Sequence, residues 1–210
     1  MFASLVATLD WLGIAAFAIT GALVASRAQM DAVGFVALGT VTGIGGGTIR
    51  DLLLDAHPLL WIAQPAYLLV CVGVSLIVFV TAPLIESRLR VILWADAAGM
   101  ALFATVGAER ALAHGAPAAV AIAMGAITAV AGGIVRDLLA GERSIIFARE
   151  LYITAALAAA AGFVALDAAG LARETAVLAG VAAGFALRAG ALIRGWSLPR
   201  YRPRPPRSFL

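Results

Sequence analysis

The chain has 210 residues, of which 63% are hydrophobic and 13% charged, with a formal net charge of +3. A soluble domain carries roughly 45–50% apolar and about 25% charged residues, so this composition excludes one and describes an integral membrane protein. A membrane-crossing helix takes about 20 apolar residues, which leaves room for about six to eight spans and almost no soluble domain.

Every basic residue is arginine, and the positive excess sits largely in the tail from Arg200 to Arg207, so no nucleic-acid-binding body is expected. Cys71 stands alone inside an apolar segment, which excludes an intrachain disulfide or thiolate metal site. His57 and His114 lie beside Pro58 and Gly115 with no clustered acid, and read as ordinary interfacial residues. No basic residue precedes the first apolar stretch, so no cleavable signal peptide is expected.

In chain order, the hydropathy pattern predicts seven helical spans at about 5–25, 31–54, 66–84, 91–112, 117–140, 149–168 and 175–193. Pro58, Pro65, Pro83 and Pro117 mark span ends or turns. The segments do not alternate apolar and polar residues as barrel strands do. Arg27, Arg88, Arg90, Arg143, Arg149, Arg194, Arg200, Arg202, Arg204 and Arg207 fall on one side, against Arg110 and Arg173 on the other. The positive-inside rule then places the N-terminus outside and the C-terminus in the cytoplasm. Trp11, Trp61 and Trp94 suit interfacial belts, Trp196 an interfacial anchor, and Arg188 is expected to snorkel from the seventh span. Residues 196–210 read as a basic cytoplasmic tail able to meet anionic lipid headgroups.

The first and fourth spans, and the second and fifth, repeat one another. Adding 86 carries Asp10 to Asp96, Gly13 to Gly99, Phe17 to Phe103, Gly21 to Gly107, Gly39 to Gly125, Thr42 to Thr128 and Arg50-Asp51 to Arg136-Asp137. This register needs no gap from Asp10 through Leu54, and Tyr67 aligns with Tyr152 after one deletion. Each copy, about residues 5–85 and 91–168, holds three spans. An odd number of spans inverts the second copy in the membrane. The expected fold is therefore all-α: seven transmembrane helices in one domain over residues 1–195, as two inverted three-helix repeats plus a seventh helix at about 175–193.

The repeated element is Gly43-Ile44-Gly45-Gly46-Gly47-Thr48-Ile49-Arg50-Asp51, matched by Ala129-Val130-Ala131-Gly132-Gly133-Ile134-Val135-Arg136-Asp137. Adjacent glycines weaken a helix by roughly 1 kcal/mol each relative to alanine, and either open the backbone or let a neighbour approach closely. An opened backbone would face carbonyls toward a cation or water, with Thr42, Thr48 and Thr128 offering hydroxyls beside it. Arg50 and Arg136 are costly at membrane depth, by about 2.5–3.5 kcal/mol on insertion scales, and call for a cavity or a partner. Asp51 and Asp137 point about 100° away on a helix and need not pair locally. Asp10 and Asp96 are the natural partners across helices. Spacing of three places Gly47 and Arg50 on one face. No enzymatic constellation is evident: there is no Gly-Lys-Ser/Thr phosphate loop and no Asp-x-Asp metal pair, and no cofactor is expected.

With these features the chain resembles the prokaryotic branch of the trimeric intracellular cation (TRIC) channel family, also known as a glycine-transporter domain family. The resemblance covers about residues 5–195 and implies a homotrimer in the bacterial inner membrane, with one pore per protomer passing potassium or sodium, chiefly potassium. It implies that spans two and five bend at Gly45, Gly46, Gly47, Gly132 and Gly133 and line that pore, with Arg50, Asp51, Arg136 and Asp137 completing the two elements. Ala131 departs from the triple glycine, and the lysine-bearing motif of animal members is absent, so their phosphoinositide binding is not carried over. The expected function is a monovalent cation channel in contact with membrane lipid. The rival is a secondary transporter of glycine or another small zwitterion, because inverted repeats suit alternating access equally well.

Overall fold

The structure, a computed structural model, describes residues 2–85, 87–141 and 151–199. The start of the expected sixth span, Arg143, Arg149 and the tail arginines from Arg200 onward lie outside the described residues. The described elements are helices: α1 (Phe2–Arg27), α2 (Ala32–Leu53), α3 (Leu60–Ala63), α4 (Ala66–Thr81, prolonged by a 3-10 turn at Ala82–Leu84), α5 (Arg88–Ala113), α6 (Ala118–Leu139), α7 (Ile153–Ala168) and α8 (Arg173–Arg194). Six are long and apolar enough to cross a membrane, and α7 is a shorter apolar helix. The spans read from hydropathy agree with these bounds to within about four residues. The four-residue helix α3, between the second and third spans, was not expected.

Local chemistry sets the helix ends. Asp31 caps α2 by accepting from the Gly34 N–H at 2.8 Å. Pro65 and Pro117 immediately precede α4 and α6, where a missing N–H costs nothing. Gly195 ends α8 in the left-handed conformation at φ +67°. At about 1.5 Å per residue, α1 and α5 exceed the roughly 30 Å hydrocarbon core, an excess of the kind that helix tilt accommodates.

The packing follows the duplication. In the first repeat α4 packs on α1 and α2; in the second, α7 packs on α5 and α6. The repeats meet where α1 packs on α5 and α2 on α6, and α8 covers α5 and α7. The two halves are inverted three-helix repeats, with the seventh apolar helix appended. Phe17 and Phe103, counterparts in the repeat, meet edge to face with centroids 5.1 Å apart. Each ring lies over the other repeat's glycine: Phe103 over Gly13 and Phe17 over Gly99. Outside this core, α4 shows Leu69, Ile77 and Val80 at 65–72% exposure. A fully apolar outer face of that kind suits lipid or a neighbouring protomer.

Candidate functional site

Both glycine runs fold as uninterrupted helix: α2 is continuous from Ala32 to Leu53 and α6 from Ala118 to Leu139. The helix break expected at Gly45, Gly46 and Gly47 and at Gly132 and Gly133 is thus replaced by a close crossing. A methyl group on Gly46 would overlap the Thr128 carbonyl, and one on Gly132 would overlap the Thr42 carbonyl. The two contacts are mirror images under the 86-residue shift. Gly45 is freer, since an added methyl would sit 3.6 Å from Gly132 Cα, and its counterpart is Ala131. A glycine run permits both bending and close approach, and the neighbouring backbone shows the approach. The Thr42 and Thr128 hydroxyls are turned onto their own helices, each donating to the carbonyl four residues back at 2.6 Å.

Charged groups gather at both ends of this crossing. Asp96 and Arg110 are 14 residues apart on α5, which places the two clusters about 21 Å apart along the helix. The Phe17–Phe103 pair lies between them in sequence on α1 and α5.

At the end away from α3, Arg136 is 1% exposed. Its Nη1 donates to Asp96 Oδ1 and to Thr20 Oγ1, both at 3.0 Å, and its Nε donates to Asp137 Oδ1 at 2.8 Å. Three acceptors on three helices satisfy the buried guanidinium, as a buried charge requires. Asp96 partners Arg136 across helices, in line with the sequence reading. Nearby, the Arg188 guanidinium lies 5.1 Å from the Tyr152 ring centre. Arg188 is fully buried in α8, so the expected snorkelling does not occur. Its site is inside the bundle because Gly180, Gly184 and Ala191 bring α8 close to its neighbours.

At the α3 end the same residues are arranged differently. Arg50, also 1% exposed, directs Nε at 2.9 Å and Nη2 at 2.6 Å to the single oxygen Asp51 Oδ1. Both Arg-Asp pairs therefore close locally, against the expectation that adjacent residues point apart. The arginine stem is long enough to fold back across the 100° between them. Asp10 is bridged by Arg110, a residue that the sequence reading used only for orientation. Glu109 and Arg173 approach to 3.5 Å on the same side.

Asp10, Arg50, Gly43, Ile44, Gly47 and Thr48 line a cavity of about 20 Å³ beneath Leu60 and Trp61 of α3, floored by Ile14 and Phe103. Thr42, Gly45 and Gly46 do not line it. The roof is tied down twice. The Trp61 indole donates to Thr48 Oγ1 at 3.0 Å, and the Leu60 N–H donates to Asp51 Oδ2 at 3.0 Å. Trp61 therefore covers a mostly apolar cavity into which Asp10 and Arg50 bring charge, and Trp11 stacks on Tyr67, another lining residue, at 3.9 Å between centroids. Sequence reasoning missed Arg110, Thr20, Trp61, Tyr67 and Tyr152 as site neighbours. The Tyr67–Tyr152 alignment was the available signal for the last pair.

The family model described as "Glycine transporter" matches residues 7–83 and again residues 93–168. A UPF0126 membrane protein of Vibrio cholerae is 39% identical over 202 residues, covering 94% of this chain and 83% of that one. The UPF0126 inner membrane protein YadS of Escherichia coli is 41% identical over 157 residues, covering 73% and 74%. The crystal structures of the TRIC trimeric intracellular cation channel orthologue from Rhodobacter sphaeroides match at 56% identity and a TM-score of 0.89, covering 91% of this chain and 98% of that one. The chain belongs to the prokaryotic TRIC channel family. The two matched segments of this TRIC family member start at residues 7 and 93, the same offset of 86 that carries Asp10 to Asp96. The charge clusters of both repeats fall on helices that those segments span.

Proposed function

We infer that this chain is a potassium-preferring monovalent cation channel with one pore in each protomer of a homotrimer. Its setting is the bacterial inner membrane, with the N-terminus outside and the C-terminus in the cytoplasm. The single observation that carries the reading is the pair of inverted charge clusters on either side of the α2–α6 crossing. Intramembrane ionisable residues on facing helices mark ion pathways more often than they mark scaffolding. Asp10, Asp51, Asp96 and Asp137 supply the negative charge that a cation needs beside fixed guanidinium groups. In this reading Gly43, Gly47 and Thr48 line the outer half of the path. Gly46, Gly132, Thr42 and Thr128 form its constriction, and Arg50 and Arg136 set its conductance. The solved TRIC orthologue from Rhodobacter sphaeroides, described as a trimeric cation channel, supports both conduction and assembly.

A carrier for a small zwitterion is the second reading, because Arg50 and Asp10 face one cavity and offer both charges. The size of the cavity favours the channel. A cavity of about 20 Å³ holds about one water, for which roughly 10–15 Å³ is needed. That suits a water or a largely dehydrated cation, and is too small for the five heavy atoms of glycine. Potassium efflux and labelled-glycine counterflow, run on one batch of proteoliposomes, separate the readings. Efflux with no counterflow supports the channel. Saturable glycine counterflow with no potassium efflux overturns it.

A further inference from the structure

The two halves hold the same arginine in two different states, and the difference traces to specific departures from the repeat. Nε of each arginine stays on the following aspartate, at 2.9 Å in one half and 2.8 Å in the other. Only the outer nitrogens differ. Arg136 Nη1 crosses to Asp96 and Thr20, whereas Arg50 Nη2 folds back onto Asp51 and leaves Asp10 to Arg110. Under the 86-residue shift the counterpart of Arg110 is Val24, and the counterpart of Thr20 is Val106. The half that carries Arg110 is therefore also the half without the hydroxyl that helps hold a crossing arginine. Arg50 and Asp10 already line one cavity, so a guanidinium that keeps its Nε bond and releases Nη2 from Asp51 has the Asp10 carboxylate as an acceptor in the same cavity. Asp10 is 2% exposed at its side chain and Arg110 24%, so Arg110 reaches the buried carboxylate from the outer surface of the bundle.

We propose that Arg110 is a prop: by occupying the Asp10 carboxylate it keeps Arg50 folded back and the cavity beneath α3 open. Without the prop, Arg50 bridges to Asp10 as Arg136 bridges to Asp96, and the bridge closes the cavity across its middle. The two halves then represent the bridged and unbridged states of one inverted device. Which half is bridged is set by Arg110 against Val24 and by Thr20 against Val106. The mechanism concerns side-chain access to the cavity and holds whether or not cations pass.

The test uses full-length protein in nanodiscs, where both faces are accessible, with an Ile44→Cys reporter in a Cys71→Ala background. The readout is the rate of thiol blocking by silver ion, a thiol-reactive monovalent cation small enough for a cavity that holds about one water. Arg110→Gln should slow modification by about tenfold, within the usual range of coupling between two sites. Asp10→Asn added to it should restore the rate, because Arg50 then has no carboxylate to bridge. Val106→Thr alone, which installs the missing hydroxyl with little change of volume, should slow the rate by about two- to threefold while Arg110 still competes. An unchanged or faster rate in folded Arg110→Gln, or no restoration by Asp10→Asn, overturns the proposal. If Arg110→Gln does not fold, an unchanged rate in Val106→Thr overturns it.

Discussion

Replacing Gly46 and Gly45 separately by alanine isolates what the glycine run does. Both substitutions sit in the same uninterrupted stretch of α2. Each gains up to about 1 kcal/mol of helix propensity, and that gain cancels when the two variants are compared. What remains is contact. A methyl on Gly46 would lie 3.0 Å from the Thr128 carbonyl carbon and closer still to its oxygen, whereas one on Gly45 meets Gly132 Cα at an ordinary 3.6 Å. Thr128 is met through its backbone, so no rotamer change relieves the overlap and α2 must move off α6. Overpacking of this kind costs about 1–3 kcal/mol, with the upper part of that range expected because backbone is involved. Reversible unfolding in mixed micelles should therefore show Gly45→Ala equal to or more stable than the wild type, and Gly46→Ala less stable than Gly45→Ala by about 2–3 kcal/mol. By the mirrored contact, Gly132→Ala should behave like Gly46→Ala. If Gly46→Ala and Gly45→Ala are equally stable, the crossing is not held by Gly46, and an opened helix becomes the better account of the run.

Arg136→Gln should destabilise the fold by about 3–5 kcal/mol, because it leaves Asp96 buried without its partner, and Asp96→Asn by less, because Arg136 keeps Asp137. The double variant should recover part of that loss in the same unfolding assay, and strict additivity would contradict a direct pair. Trp61→Phe keeps an aromatic roof but removes the donor to Thr48. It should loosen α3 by about 0.5–1.5 kcal/mol, seen as faster hydrogen exchange at Leu60–Ala63 with little change elsewhere. Arg188→Lys retains the charge but loses the guanidinium that lies 5.1 Å from the Tyr152 ring centre. It should cost about 1–2 kcal/mol in thermal stability, and a neutral result would show that Arg188 is held by charge alone.

The spans were legible because twenty-residue apolar runs bounded by proline and arginine admit little else in lipid. The inversion was legible from Asp10, Phe17 and Arg50 recurring together at one offset. The state of the glycines was not legible. The same three residues allow either an opened backbone or a close crossing, and the choice rests on the Thr128 carbonyl, which no local pattern predicts. The pairing of Arg50 was missed for a related reason: helix geometry fixes the direction of Cβ, but the guanidinium lies several bonds further out and can fold back to the next residue. Arg110 sits near a span end, where an arginine ordinarily reaches water, and only the fold brings Asp10 beside it. Arg188 likewise lies in the last turns of a span, where snorkelling is the ordinary expectation, and only the packing of α8 on α5 and α7 buries it.

Planar-bilayer recording of the purified protein under a potassium chloride gradient tests the central claim most directly. The account predicts discrete unitary currents that reverse near the potassium equilibrium potential, with a unitary conductance altered by Arg50→Ala in protein that retains its fold. Absence of unitary currents from folded protein, or currents that Arg50→Ala and Arg136→Ala both leave unchanged, would contradict a cation path through the two inverted clusters.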